Sequence, residues 1–160
     1  MPLPGSLGSR AMKRTGLIVH QYLVMLWLAG VAVTVFLAGL GVFETTKTSK
    51  LSDSTTTKLV ESNNLDPHRA AGTLLVLGTL LVLIAAGAAR ANRRQVAMSA
   101  VFFVLGVIQM FLAGAGSSSG AFWGGLHVLN AFALTGLAIG LLMEDRRILA
   151  GAAPPPSLAS

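Results

Sequence analysis

Four long apolar stretches, each closed by a short polar or basic segment, leave this chain few folds to choose from. They run over about residues 16–43, 67–89, 96–114 and 122–143, close to or beyond the roughly 20 residues that a helix needs to cross a bilayer. Of 160 residues, 53% are hydrophobic and only 11% charged, too little charge to cover a water-soluble domain of this size. The expected class is all-α: a polytopic membrane protein whose four spans form an up-down four-helix bundle.

The net charge of +6 is no sign of nucleic-acid binding, because the arginines fall in tails and short turns, where topology signals belong. The chain has no cysteine, which excludes disulfides, thiolate metal sites and thiol redox chemistry. No Gly-rich phosphate loop, nucleophile motif or metal-spaced carboxylate pair is present.

Residues 1–15 read as a polar N-terminal tail with Arg10, Lys13 and Arg14. Residues 44–66 read as the only long polar loop, ending in Asp66 as helix N-cap and Pro67 at the first helical position. Arg90, Arg93 and Arg94 form a tight turn, and Ser117-Ser118-Ser119-Gly120 a short connection. Residues 146–160, with Pro154-Pro155-Pro156, read as a disordered tail. Eight basic residues (Arg10, Lys13, Arg14, Arg90, Arg93, Arg94, Arg146, Arg147) share one side, against Lys47, Lys50, Lys58 and Arg69 on the other. The positive-inside rule then makes both termini cytoplasmic.

Phe36-Leu37-Ala38-Gly39-Leu40-Gly41 closes the first span and Phe111-Leu112-Ala113-Gly114-Ala115-Gly116 the third. Each precedes a connection and a helix with a histidine near its start, His68 or His127. The pattern reads as two parallel hairpin repeats with one ligand-type residue per copy, and such residues are costly in a membrane. Spans two and four are diagonal in an up-down bundle, roughly 11–14 Å apart if neighbouring axes pack at about 8–10 Å. A planar macrocycle fits such a gap with an imidazole on each side of its metal, imidazole being a standard haem ligand. Ala71, Gly72 and Ala131 leave room for a ring edge. Arg69 suits a propionate, and Asn130 and Gln109 suit hydrogen bonds within the site or to a neighbouring helix. Counted back from Arg90 and Arg146, the two histidines differ in depth by about 4.5 Å, which tilt can absorb, and with Glu144 as the inner marker by about 7.5 Å, which would strain a shared ligand. Position alone also admits plainer roles: His68 as an interfacial helix-start residue, His127 as a donor to a neighbouring backbone. His20 reads as interfacial, with Tyr22 and Trp27 in an aromatic belt, and no partner for a second, inner site is evident. Gly136 and Gly140 read as a helix-packing pair.

The segments Asp66-Pro67-His68-Arg69-Ala70-Ala71-Gly72, Ile108-Gln109-Met110-Phe111-Leu112-Ala113-Gly114 and Leu126-His127-Val128-Leu129-Asn130-Ala131 resemble a family of small bacterial four-span proteins of unknown function, over roughly residues 24–143. More distantly the pattern is similar to one half of haem A synthase. That resemblance implies haem-ligating histidines at the positions of His68 and His127. Haem A synthase has a catalytic glutamate three residues before the first histidine, where this chain has Leu65. It often has an outer cysteine pair and always a second half, both missing here. The resemblance therefore implies haem binding more than haem hydroxylation.

The expected function is a protein of the bacterial cytoplasmic membrane holding b-type haem near its outer face, with His68 and His127 as axial ligands, for electron transfer or redox sensing and without enzymatic activity. The first alternative is a non-enzymatic accessory or assembly subunit packed against a larger membrane partner or a second copy of itself. The second is a small-molecule or proton carrier using His20, Gln109 and His127.

Overall fold

The computed structural model describes residues 5–49 and 54–151. Four helices follow one another: α1 (Gly5–Ser49), α2 (Ser54–Ala88), α3 (Arg93–Ser119) and α4 (Ala121–Leu149). No strand occurs among the described residues. Each helix contains a segment long and apolar enough to span a membrane: Met12–Thr46, Asn63–Ala88, Arg93–Gly116 and Ala121–Leu149. Apolar side chains such as Leu26, Phe36, Leu74, Ile84, Val104 and Phe111 face outward. A bundle that exposes its largest hydrophobics requires lipid around it.

The turns fix the up-down course. After α2, Arg90 takes a left-handed conformation (φ 49°). Its amide donates to Gly87 O, and the amide of Ala91 reaches back to Ala86 O, a Schellman-type stop. Asn92 then caps α3, its side chain accepting from the Gln95 amide at 2.8 Å. Between α3 and α4 the chain reverses on Gly120 alone, at φ 106°, a conformation that only glycine adopts freely. Neighbours are α1 with α2, α2 with α3, α3 with α4, and α4 with α1. The diagonals are therefore α1/α3 and α2/α4.

The helices exceed their apolar stretches at both ends. Where described, residues 44–66 are helical and not a separate loop, since α1 continues to Ser49 and α2 begins at Ser54. Asp66 is consequently not an N-cap, and Pro67 lies inside α2. Packing between α1 and α2 explains the extension. Gly41 has no side chain to obstruct the Asn64 carbonyl, which a Cβ would approach to 2.7 Å, and Asn64 Nδ2 donates to Thr45 Oγ1. Asp66 instead pairs with Arg69 Nη1 at 3.1 Å on the exposed side. At the other end α1 already starts at Gly5 and α4 runs through Arg146 and Arg147 to Leu149, so these residues belong to the bundle helices rather than to free tails. Residues 1–4, 50–53 (with Lys50) and 152–160 (with Pro154-Pro155-Pro156) lie outside the described residues, as do the side chains of Arg10, Lys47, Lys58 and Ser117 to Ser119.

One apolar core joins all four helices: Val24 and Trp27 from α1, Val82 from α2, Phe102 from α3, and Leu134, Ala138 and Leu141 from α4. It sits in the half of the bundle nearer the termini. Close approaches at glycine tighten the frame there, with Gly16 against Ala89 and Gly106 against Thr79. Such contact is the main packing force available between helices in lipid.

Candidate functional site

Beyond the core, toward the α1–α2 connection, the bundle is hollow. A cavity of about 500 Å³ lies among the four helices, with both His68 and His127 in its wall. Trp27 and Leu134 belong to the core and to the cavity lining alike, so they separate the filled half from the open one. The rest of the wall is largely apolar, including Val31, Val35, Leu75, Ala131 and Phe132. Gly72 faces open space, for a Cβ built there meets nothing within 4 Å. A smaller cavity of about 270 Å³ shares His68, Gly72, Val76, Gln109 and His127 with the first. It extends between α2 and α3, where Arg69, Thr73 and Gly114 line it.

The two imidazoles are held alike. His68 Nδ1 lies 3.0 Å from the backbone oxygen of Thr34 on α1. His127 Nδ1 lies 3.3 Å from the backbone oxygen of Gln109 on α3. A carbonyl can only accept, so each Nδ1 carries the hydrogen and each Nε2 the lone pair. Thr34 stands two residues before Phe36-Leu37-Ala38-Gly39, and Gln109 two before Phe111-Leu112-Ala113-Gly114. Each histidine is thus tied to the same position of the preceding helix.

The side chains at those positions differ, and the Nε2 atoms differ with them. Thr34 turns its hydroxyl to Gly30 O within α1, and His68 Nε2 has no hydrogen-bond partner among the described residues. Gln109 instead places its amide nitrogen 3.3 Å from His127 Nε2 and donates to His127 O at 3.0 Å. Asn130 Nδ2 secures that amide, donating to Gln109 Oε1 at 2.6 Å and to Leu105 O at 3.0 Å. The two ends of the cavity therefore present one imidazole with an unengaged Nε2 and one whose Nε2 is covered. Arg69 is about half exposed and directed to Asp66.

A second polar site lies at the termini end, where the sequence suggested none. His20 is not interfacial but wholly buried. Its Nδ1 is 2.7 Å from Asp145 Oδ2 on α4 and its Nε2 3.2 Å from Ser99 Oγ on α3. Gln95 Nε2 donates to Asp145 Oδ1. Trp27 likewise does not sit in an aromatic belt. It is in the core, donating to Leu75 O at 2.9 Å and meeting Phe102 edge to face. Tyr22 does face outward. Leu134, Ala138, Leu141 and Asp145 share one stripe of α4, as Gln95, Ser99 and Phe102 do of α3, but helices apolar on every side leave such a stripe unmarked in the sequence.

Among the described residues no group of three histidine, cysteine or carboxylate side chains converges as a metal site. Comparison with known proteins adds one finding. Residues 34–118 match a family described as a family of unknown function, DUF6220. The matched stretch begins at Thr34, contains His68 and Gln109, and ends before His127. No curated protein and no solved structure matches the chain.

Proposed function

Because this chain belongs to DUF6220, a family of unknown function, its role must be read from the cavity, and we propose that the cavity binds b-type haem or a similar planar cofactor. One observation carries the reading: two imidazoles with matched Nδ1 anchors border a single, mainly apolar space between diagonal helices. A backbone carbonyl on Nδ1 is the support that orients a histidine to ligate through Nε2. A porphyrin brings four nitrogens to its own metal, so one or two imidazoles suffice, whereas a bare ion finds no three-residue set here. The repeated anchoring also supports an origin of the bundle in two similar hairpins.

The residues have unequal tasks. His68 offers Nε2 directly. His127 would serve as a second ligand with the Gln109 amide turned aside, and Asn130, bonded to Gln109 Oε1, would restrain that turn. Arg69, beside the smaller cavity, serves a propionate after leaving Asp66. Bound haem would supply a one-electron couple, suited to electron transfer or redox sensing. The basic residues at the termini end support a placement with both termini cytoplasmic and the cavity toward the outer face of a bacterial cytoplasmic membrane.

The test is a reduced-minus-oxidised spectrum of the full chain purified in detergent after expression with ample haem. A haem band that disappears in His68→Ala and weakens or changes form in His127→Ala is expected. A colourless wild-type protein overturns the reading, and a stable co-purifying membrane partner without a chromophore would favour an accessory subunit instead.

A further inference from the structure

The buried cluster at the termini end has a chemistry of its own, separate from the cavity. His20, Ser99, Gln95 and Asp145 come from three helices, and all four are at 0% exposure. Ionisable side chains inside a membrane bundle are costly to keep, and proton relays are among the functions they mark.

Counting hydrogens shows what the cluster lacks. His20 Nδ1–H donates to Asp145 Oδ2, and Gln95 Nε2 donates to Oδ1. His20 Nε2 then holds a lone pair and accepts from the Ser99 hydroxyl. Gln95 Oε1 is also buried, and it has no hydrogen-bond partner among the described residues. With Asp145 ionised and His20 neutral, the cluster carries one negative charge and is one donor short. A buried acceptor without a donor costs roughly 1–3 kcal/mol, and an uncompensated buried charge costs more.

We propose that the His20–Ser99–Gln95–Asp145 cluster is a proton-binding site that takes up one proton from the water at the termini end. The proton bonds to His20 Nε2, making an imidazolium beside the Asp145 carboxylate and bringing the cluster to neutrality. Nε2–H then donates to Ser99 Oγ, and the Ser99 hydroxyl hydrogen, released from Nε2, turns away. Ser99 lies one turn from Gln95 on the same face of α3, yet its hydroxyl is not in hydrogen-bonding geometry with Gln95 Oε1. A single added proton would thus offset the buried carboxylate charge and keep the His20–Ser99 contact, because a hydroxyl both donates and accepts.

Other charged groups surround the cluster at the same end of the bundle. Glu144, next to Asp145 in α4, is nearly buried, and Arg94 of α3 and Arg147 of α4 each approach its Oε2 to 3.9 Å. Among the described residues, Lys13 and Arg14 of α1, Arg90 at the end of α2, Arg93 of α3 and Arg146 of α4 are the other charged groups at this end, all exposed. Glu144 is thus a nearly buried carboxylate that the arginines approach, adjacent in sequence to the cluster's Asp145.

The experiment follows the ring nitrogens of His20 and the carboxyl carbon of Asp145 by NMR in isotope-labelled full-length protein in lipid nanodiscs. The pH is varied over a range in which helix content stays constant. Proton binding predicts that both signals change reversibly with one shared midpoint. Asp145→Asn must abolish that shared curve, and Ser99→Ala, which removes only the partner of Nε2, must displace the midpoint by at least threefold in proton concentration. If Asp145→Asn does not fold, Ser99→Ala decides the matter alone. Fixed signals across the range overturn the proposal, as does a His20 curve unaltered in the variants. Haem is not needed for any of these measurements, so their outcome is independent of the cavity's ligand.

Discussion

A single atom separates the two histidines of the cavity. Both rings are anchored through Nδ1 to matched backbone carbonyls, but only His127 has its Nε2 covered, because position 109 is glutamine where position 34 is threonine. The longer side chain reaches the ring, while the shorter one folds back on its own helix. Gly72 is the other decisive residue, since its missing side chain keeps both cavities open. Gly72→Leu is expected to fill that space and remove the haem band while leaving the thermal unfolding midpoint within a few degrees of wild type. A parallel loss of folding would mean that the space is structural. Gly106 tells the opposite story. A Cβ there would stand 2.7 Å from Thr79 Oγ1, so Gly106→Val should lower the midpoint in detergent clearly, as overpacking at a close contact commonly costs about 1–3 kcal/mol.

Among the elements, the α2–α3 turn is the one built against its own sequence. Arg90 occupies a left-handed position at φ 49°, a site for which glycine is the ordinary choice. The left-handed conformation costs a residue with a Cβ roughly 1–2 kcal/mol. Arg90→Gly is therefore expected to stabilise the bundle by up to about that amount, read as a higher midpoint in thermal or denaturant unfolding. No gain, or a loss, would show that the arginine side chain does more for the turn than its backbone strain takes away. The α1–α2 end shows how packing overrides local signals. Asp66-Pro67 has the composition of a helix start, yet α2 passes through it. The contact of Gly41 with the Asn64 backbone is made only when α1 and α2 are side by side, so no short window of sequence could announce it.

At the scale of the whole molecule, the bundle divides along its axis into a polar cluster, a filled core and a cavity. That order runs from the termini to the α1–α2 connection, and it makes orientation in the membrane a functional matter. The chain lacks cysteine, so single-cysteine variants can report orientation cleanly. Asn63→Cys and Ala150→Cys lie at exposed positions at opposite ends. With both termini cytoplasmic, a membrane-impermeant maleimide applied to intact cells should label Asn63→Cys at once and Ala150→Cys only after lysis. The reverse pattern would place the cavity on the inner side and the proton-binding cluster on the outer one.

The sequence alone determined the class, the number of helices and the two histidines worth watching, because span length, charge scarcity and basic turns are local properties that lipid enforces on any chain. It did not disclose that His20 has a buried carboxylate partner 125 positions away, or that Trp27 belongs to the core. Nor could it show that Gln109 covers one of two otherwise similar imidazoles. Those facts depend on how four helices, apolar on every side, are rotated against one another. With no polar face to mark the inside, that rotation is settled by close contacts such as Gly16 on Ala89 and Gly106 on Thr79, which exist only in the assembled bundle.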